Sequence, residues 1–394
     1  MLSVLNLARK PLGKISLYLI FILGLVACTT NSIPSLTART DGPVKVGLLV
    51  PSGTGEARDE LLASSLENAA RLAIADLAAV HPNTVIELKI YQTWGQPAKA
   101  AEVALQAVSE GTEIILGPVF SQEAKAVGLA LNGTNVNVLS FSNNVEIANG
   151  AVFVLGQTFQ NTAKRLTDYA LAQGVSNIMV VSDKTPSGEL GREAIEAAVR
   201  KARGTVTAIF DYEFSQNGII SAAPLIAQAA KQSGAQALFL TADTAGALPL
   251  LTQLLSDDGL GVQGTRFIGL TRWDIPAATP ELAGLQNGWF ALPDPVLYAQ
   301  YKARYEATYQ GPPHPVSGLA YDGIAAIGAL VTSGRGNALT AQALTQRSGF
   351  VGVNGIFRFM KDGTNERGLA VAEIQNKQVN VIDQAPRTFA NAGF

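Results

Sequence analysis

From residue 44 onward the chain alternates short runs rich in Val and Ile with longer stretches rich in Ala, Leu and Glu. The spacing, about 30 residues per pair, is that of βαβ units, and such units force a parallel sheet with right-handed crossovers. Strand-like runs at 44–50, 85–91, 114–116, 136–140 and 151–155 alternate with helical patterns at 61–80, 97–109 and 122–131. The pattern then restarts. Runs at 177–181, 206–210, 237–240 and 266–270 alternate with helices at 189–201, 222–232 and 245–255. Two sets of repeats predict two sheets, hence an α/β chain of two Rossmann-like lobes, each a mostly parallel sheet flanked by helices. After the run at 288–292 come helices at 296–309 and 316–331, separated by Gly311-Pro-Pro-His-Pro315. The end of the chain reads as strands joined by Asp-Gly and Asn-Lys turns.

Within this plan, Glu113-Ile-Ile-Leu-Gly-Pro-Val-Phe-Ser-Gln122 carries the most local information. Ile114 to Leu116 is too short and too apolar for a surface helix, and Gly117-Pro118 turns the chain. Ser121 then stands where an N-cap of the helix 122–131 is expected. The same position lies at the carboxyl edge of a parallel sheet, where open α/β folds hold ligands on free backbone N–H groups. The two roles are compatible.

Composition excludes several classes. Hydrophobic residues make up 47% of the 394, enough for two buried cores, and the net charge of −2 comes without a basic stripe. Nucleic acid is therefore not an expected partner. One cysteine forbids an internal disulfide, and two histidines, His81 and His314, leave no multi-ligand zinc site. Serine acyl-enzymes of the Ser-x-x-Lys type are excluded because that spacing does not occur. Gly259-Leu-Gly-Val-Gln-Gly264 fits G-x-G-x-x-G but follows a helix and precedes a strand, the wrong order for a dinucleotide loop. The expectation is a non-catalytic chain without cofactor or metal.

The N-terminus reads as an address. Arg9, Lys10 and Lys14 precede an apolar run at 15–26, shorter than the roughly 20 residues that span a bilayer. That is a signal-peptide pattern. Its end, Leu25-Val26-Ala27-Cys28, resembles the lipobox of bacterial lipoproteins, which implies lipidation at Cys28 and a mature chain beginning there. Thr29 in the next position implies, by the same resemblance, the periplasmic side of the outer membrane. Residues 28–43 would then be a flexible tether reaching on the order of 20 Å.

Nearly all of 44–382 resembles the type I periplasmic binding-protein family, in the branch of leucine/isoleucine/valine-binding proteins. The resemblance is carried by Val46-Gly-Leu-Leu-Val-Pro51, Ile114-Ile-Leu-Gly-Pro-Val-Phe-Ser121, Val138-Leu-Ser140 and Phe357-x-Phe-x-x-Asp-Gly363. It implies lobes joined by a three-crossing hinge near Gly156, 288–293 and 363–368. The first lobe would be 44–156 with 291–363, the second 157–290 with 364–385, and 386–394 a tail. A ligand would lie between Ser52, Ser121, Gln122, Ser142, Asn143 and Asn144 on one side and Asp243, Arg272 and Asp274 on the other. Trp94 and Trp273 are candidates for the cleft walls. In amino-acid receptors of the family, a Ser at the position of Ser121 and groups near Ser142–Asn144 hold the ligand carboxylate.

Three departures qualify the transfer. Thr271-Arg272 stands where those receptors keep an acid for the ammonium, leaving Asp274 as a displaced substitute, Gln92 where they have Asp, and Ser187 where they have an aromatic. An ammonium without a buried anion costs several kcal/mol, so Arg272 favours an anionic metabolite or a protein surface. Two functions follow from the resemblance: a receptor that hands an amino acid or similar solute to a membrane transporter, and an outer-membrane lipoprotein that activates penicillin-binding proteins. If Cys28 is the anchor, Cys28→Ser is expected to shift the protein from the membrane to the soluble fraction. Unchanged processing and membrane fractionation would assign the anchor elsewhere.

Overall fold

The computed structural model describes residues 42–261, 264–334 and 337–389. Cys28, the signal segment and the tether up to residue 41 lie outside them, as do residues 262–263 of the glycine pattern and 390–394 of the tail. The chain starts with β1 (Val44–Val50), α1 (Ala57–Val80), β2 (Ile86–Gln92), α2 (Pro97–Ser109), β3 (Ile114–Leu116), α3 (Ser121–Ala130), β4 (Asn137–Ser140) and β5 (Val152–Val154). These five strands form one parallel sheet in the order β2-β1-β3-β4-β5. Next come α4 (Phe159–Ala172), β6 (Asn177–Asp183), α5 (Pro186–Lys201), β7 (Thr205–Tyr212), α6 (Gln216–Ser233), β8 (Ala237–Leu240), α7 (Leu248–Asp257), β9 (Arg266–Gly269) and β10 (Trp289–Leu292). The chain returns to the first lobe through α8 (Pro295–Tyr309), α9 (Gly318–Thr332), α10 (Ala341–Leu344), β11 (Phe350–Gly352), β12 (Gly355–Phe359) and β13 (Asn365–Arg367). It ends with β14 (Ala370–Gln375) and β15 (Gln378–Asp383). The second sheet has the order β15-β14-β10-β9-β8-β6-β7, parallel except that β14 pairs antiparallel with both β10 and β15.

Period-two alternation decides which face each strand residue covers. Val44, Val46, Leu48 and Val50 of β1 pack with α1, α8 and α9, while Leu49 faces α2 and α3. The second sheet is divided in the same way: Met179, Val181, Leu238 and Leu240 meet α6 and α7, whereas Ile178, Val180, Ala237 and Phe239 meet α4 and α5. On α1 the buried Leu62, Leu66, Ala69, Ala70 and Ala73 follow helical spacing, so a single apolar stripe anchors 24 residues.

Two expectations are corrected. Residues 291–292, assigned to the first lobe, belong to β10 of the second sheet, and 365–367, assigned to the second, pair with β12 in a separate sheet of β11, β12 and β13. The second and third crossings therefore fall at 293–294 and 368–369. Helix α4 was not anticipated, although Thr158 and Asn161 form a capping box ahead of Ala163, Leu166 and Ala170 at helical spacing.

The crossings are fastened by an ion pair under the hinge. The guanidinium of Arg367 donates from Nε and Nη2 to the Leu155 carbonyl at 3.0 and 2.5 Å and from Nη1 to Oδ2 of Asp322 at 3.1 Å. Asp322 also accepts from the Val353 and Asn354 N–H groups and from Asn354 Nδ2. Both side chains are buried, at 2% and 0% exposure, and burial pushes the Asp322 carboxyl up and the Arg367 guanidinium down. Beside them Asn365 donates to the carbonyls of Val154 and Gly156, and Asn161 Nδ2 to the carbonyl of Asn365. Removing one member leaves an uncompensated buried charge. Arg367→Met is expected to cost about 3–5 kcal/mol in urea unfolding, and Asp322→Asn combined with it distinctly less than the sum of the two single changes.

Candidate ligand-binding site

The first wall is built by the Gly-Pro turn after β3. Gly117 has φ +81°, and a Cβ there would lie 2.3 Å from the Leu49 carbonyl oxygen, so only glycine fits. Its N–H donates to the Leu139 carbonyl, and the Pro118 carbonyl accepts from the Phe141 N–H and from Ser140 Oγ. The loops after β3 and β4 are thereby locked side by side. Helix α3 begins at Ser121 itself, with Phe120 as the N-cap residue and no side-chain cap. Ser121 is thus the first helical residue rather than the expected cap, because Phe120 takes the extended conformation one position earlier. Its hydroxyl and the first N–H groups of α3 are left for solvent or a ligand. Helix α4 starts at the same cleft and is closed: Thr158 accepts from the Asn161 N–H, and Asn161 returns the bond to the Thr158 N–H.

Between the lobes lies a cavity of about 620 Å³, within the range of small-molecule sites. The first lobe contributes Val119, Phe120, Ser121, Gln122, Phe141, Ser142, Asn143 and Asn144; the crossings add Gly156, Gln157, Pro293, Arg367 and Leu369. Phe159, Thr162, Leu270, Thr271, Arg272 and Ile275 form the opposite wall, and Pro315, Val316, Leu319 and Asn354 come from the segments around α9 and before β12. Ser142 Oγ accepts from the Asn144 N–H at 3.1 Å, and Asn144 Oδ1 from the Glu146 N–H at 2.9 Å, so this loop is ordered by its own side chains. Arg272 makes a two-point ion pair with Asp274, its Nε donating at 2.9 Å, and its guanidinium lies 6.0 Å from the ring centroid of Tyr298 on α8.

Ser121, Gln122, Ser142, Asn143, Asn144 and Arg272 therefore converge on one cavity. Ser52, Asp243 and Asp274 do not line it. Ser52 is buried with its carbonyl accepting from the Trp94 N–H, in a loop whose Gly53 N–H is taken by Glu60. Asp243 is exposed and its carbonyl ties the turn into α7. Asp274 faces Arg272. Neither tryptophan walls the cleft: Trp273 is fully buried in the second lobe beside Phe290, and Trp94 is 45% exposed over Gly53. Gln157, Phe159, Thr162, Asn354 and Arg367 also line the cavity and were not among the residues expected from sequence; the capping-box pattern at the start of α4 is the available signal for the first three.

Among the described residues no cluster of three or more His, Cys, Asp or Glu side chains could hold a metal ion. The unusual ionisable group is Glu123 in the first turn of α3. It is wholly buried, neither carboxylate oxygen has a well-formed hydrogen bond, and Thr93 spends its hydroxyl on the Val50 carbonyl. Burial raises its carboxyl above the ordinary range, with Thr93 and the Phe120 backbone opposing weakly. An acid whose folded-state value is raised stabilises the fold below its unfolded value and loses that stabilisation as pH rises through the folded one. Glu123→Gln is expected to stabilise the protein at pH 8 by about 1–3 kcal/mol and to gain progressively less as the pH falls towards 4. Melting curves of both proteins across that range check it, and a pH-independent difference would contradict it.

A family model described as periplasmic binding protein matches residues 43–378. No curated protein matches. Solved structures similar to this chain include a protein from Rhodospirillum rubrum assigned as a branched-chain amino acid ABC transporter, with 16% identity and a TM-score of 0.74 over 86% of this chain and 100% of that one. A branched-chain amino acid ABC transporter periplasmic ligand-binding protein from Burkholderia xenovorans shares 16% identity, with a TM-score of 0.72 over 87% and 96%. A solute-binding protein of an ABC transporter from Rhodopseudomonas palustris, in complex with 3,4-dihydroxybenzoic acid, shares 15% identity, with a TM-score of 0.61 over 89% and 99%.

Proposed function

The chain belongs to the periplasmic binding-protein family, and on that footing we propose that it is a non-catalytic solute receptor that takes a small organic carboxylate into its cleft and presents it to an ABC-type transporter. The observation that carries the reading is the cavity of about 620 Å³ walled by both lobes, in which polar groups from each wall are set among apolar side chains. A branched-chain amino acid, the solute type named for two of the similar structures, meets that description in size and in its carboxylate. The carboxylate end would meet Ser121, Gln122 and the loop Ser142–Asn144, where the uncapped start of α3 offers N–H groups and a favourable dipole. Arg272 would close from the second lobe by bending at the crossings. Cys28, if lipidated, would tether the receptor to a membrane on its periplasmic side.

A solute that binds only the folded state raises its melting temperature by mass action. A panel of amino acids and organic acids should contain compounds that do so, and Ser121→Ala should weaken their binding by ~1 kcal/mol, or up to ~3 if the hydroxyl bonds a charge. The fold should be unaffected. A panel with no effect, together with capture of a peptidoglycan synthase by the same protein, would replace the receptor with the penicillin-binding protein activator.

A further inference from the structure

The charges that line the cavity are of one sign. Among the described residues, no Asp or Glu lines it, and its two charged residues are Arg272 and Arg367. The carboxylates nearest to hand in bonding terms are spent: Asp274 on Arg272, and Asp322 on Arg367, Asn354 and two backbone N–H groups. Arg367 in turn commits Nε, Nη1 and Nη2 to Asp322 and Leu155. Arg272 donates to Asp274 from Nε and Nη2, and its Nη1 has no partner among the described residues.

An α-amino acid brings a carboxylate and an ammonium into such a site together. The carboxylate has the open first turn of α3, the Ser121 hydroxyl and Arg272. The ammonium would find only neutral acceptors, such as the side-chain oxygens of Asn143 and Gln157, and cations rather than an anion. A desolvated charge without a counter-charge is disfavoured strongly enough to decide between ligands. The remaining surface is apolar, from Phe120, Phe141, Phe159, Leu270, Leu319 and Leu369, and it accepts a branched aliphatic or aromatic body without regard to the ammonium.

We infer that the cleft is built for a small monocarboxylate with an apolar body and no ammonium group. This rests on the solute-receptor reading and narrows it. Isothermal titration with leucine, 4-methylpentanoate and benzoate separates the two. The expected result is that 4-methylpentanoate, which is leucine without its amino group, binds on the order of 100-fold more tightly than leucine. Benzoate is expected to bind in the same pocket and to compete with it. Leucine binding as tightly as 4-methylpentanoate, or more so, overturns the inference and leaves the receptor reading standing. Binding of none of the three, with no stabilisation by the wider panel, overturns the receptor reading and the inference with it. Thr271→Asp places an acid on the second wall, so the preference should move towards leucine by about 10-fold; an unchanged ratio in a folded variant that still binds 4-methylpentanoate would overturn the electrostatic account.

Discussion

The interaction on which the rest of the molecule depends is the buried pair of Asp322 and Arg367. Arg367 closes β13 just before the third crossing, Leu155 opens the first, and Asp322 belongs to α9 behind them. One guanidinium therefore fixes the register of two chain crossings against the helix that covers the first sheet. Gly352 shows how tightly the acid is enclosed, since a Cβ at that position would stand 2.0 Å from Asp322 Oδ1. Burying both charges is costly, and the carbonyl and amide partners offset that cost only in this one arrangement. Breaking the arrangement strands a buried charge, so the pair ties the crossings to one geometry.

The position of the cavity follows from that anchor. Counting outwards from the crossings, the strands of the first sheet run β5, β4, β3, β1, β2, and those of the second run β10, β9, β8, β6, β7. Of the loops at the carboxyl ends of the parallel strands, those after β3, β4, β5, β9 and β10 reach the cavity. Ser52 follows β1 and Asp243 follows β8, each farther from the hinge, which is why polar residues at the carboxyl ends of strands still fall outside the cavity. The general rule for open α/β sheets gives the correct edge but not the distance along it.

Electrostatics then distinguish two helix starts that share the cleft. At α4 the capping box consumes the side chains and one N–H that a ligand would otherwise meet, and at α3 no side chain intervenes. Glu123 sits one turn inside α3, and burial favours its protonated form. A neutral Glu123 leaves the positive end of the helix dipole unopposed, whereas an ionised one would compete with an incoming anion.

The sequence by itself determined the two α/β sheets, because the alternation of strand and helix periods is local and survives any tertiary context. The Gly117-Pro118 turn and the Asn376-Lys377 turn were legible for the same reason: backbone geometry at such positions is set by one or two residues, and both Asn376 and Lys377 take positive φ. Ser121, Gln122, Ser142, Asn143, Asn144 and Arg272 could be placed at the strand ends from sequence. Their convergence could not, and neither could the absence of Ser52 and Asp243 from the same cavity. What only the tertiary structure decided was the partnership of residues far apart in the chain. Asp322 with Arg367 and Leu155 with Arg367 are contacts across 45 and 212 positions, and no local pattern encodes which buried acid meets which buried base. That long-range pairing fixes where the lobes join, and with it which loops face each other across the cavity.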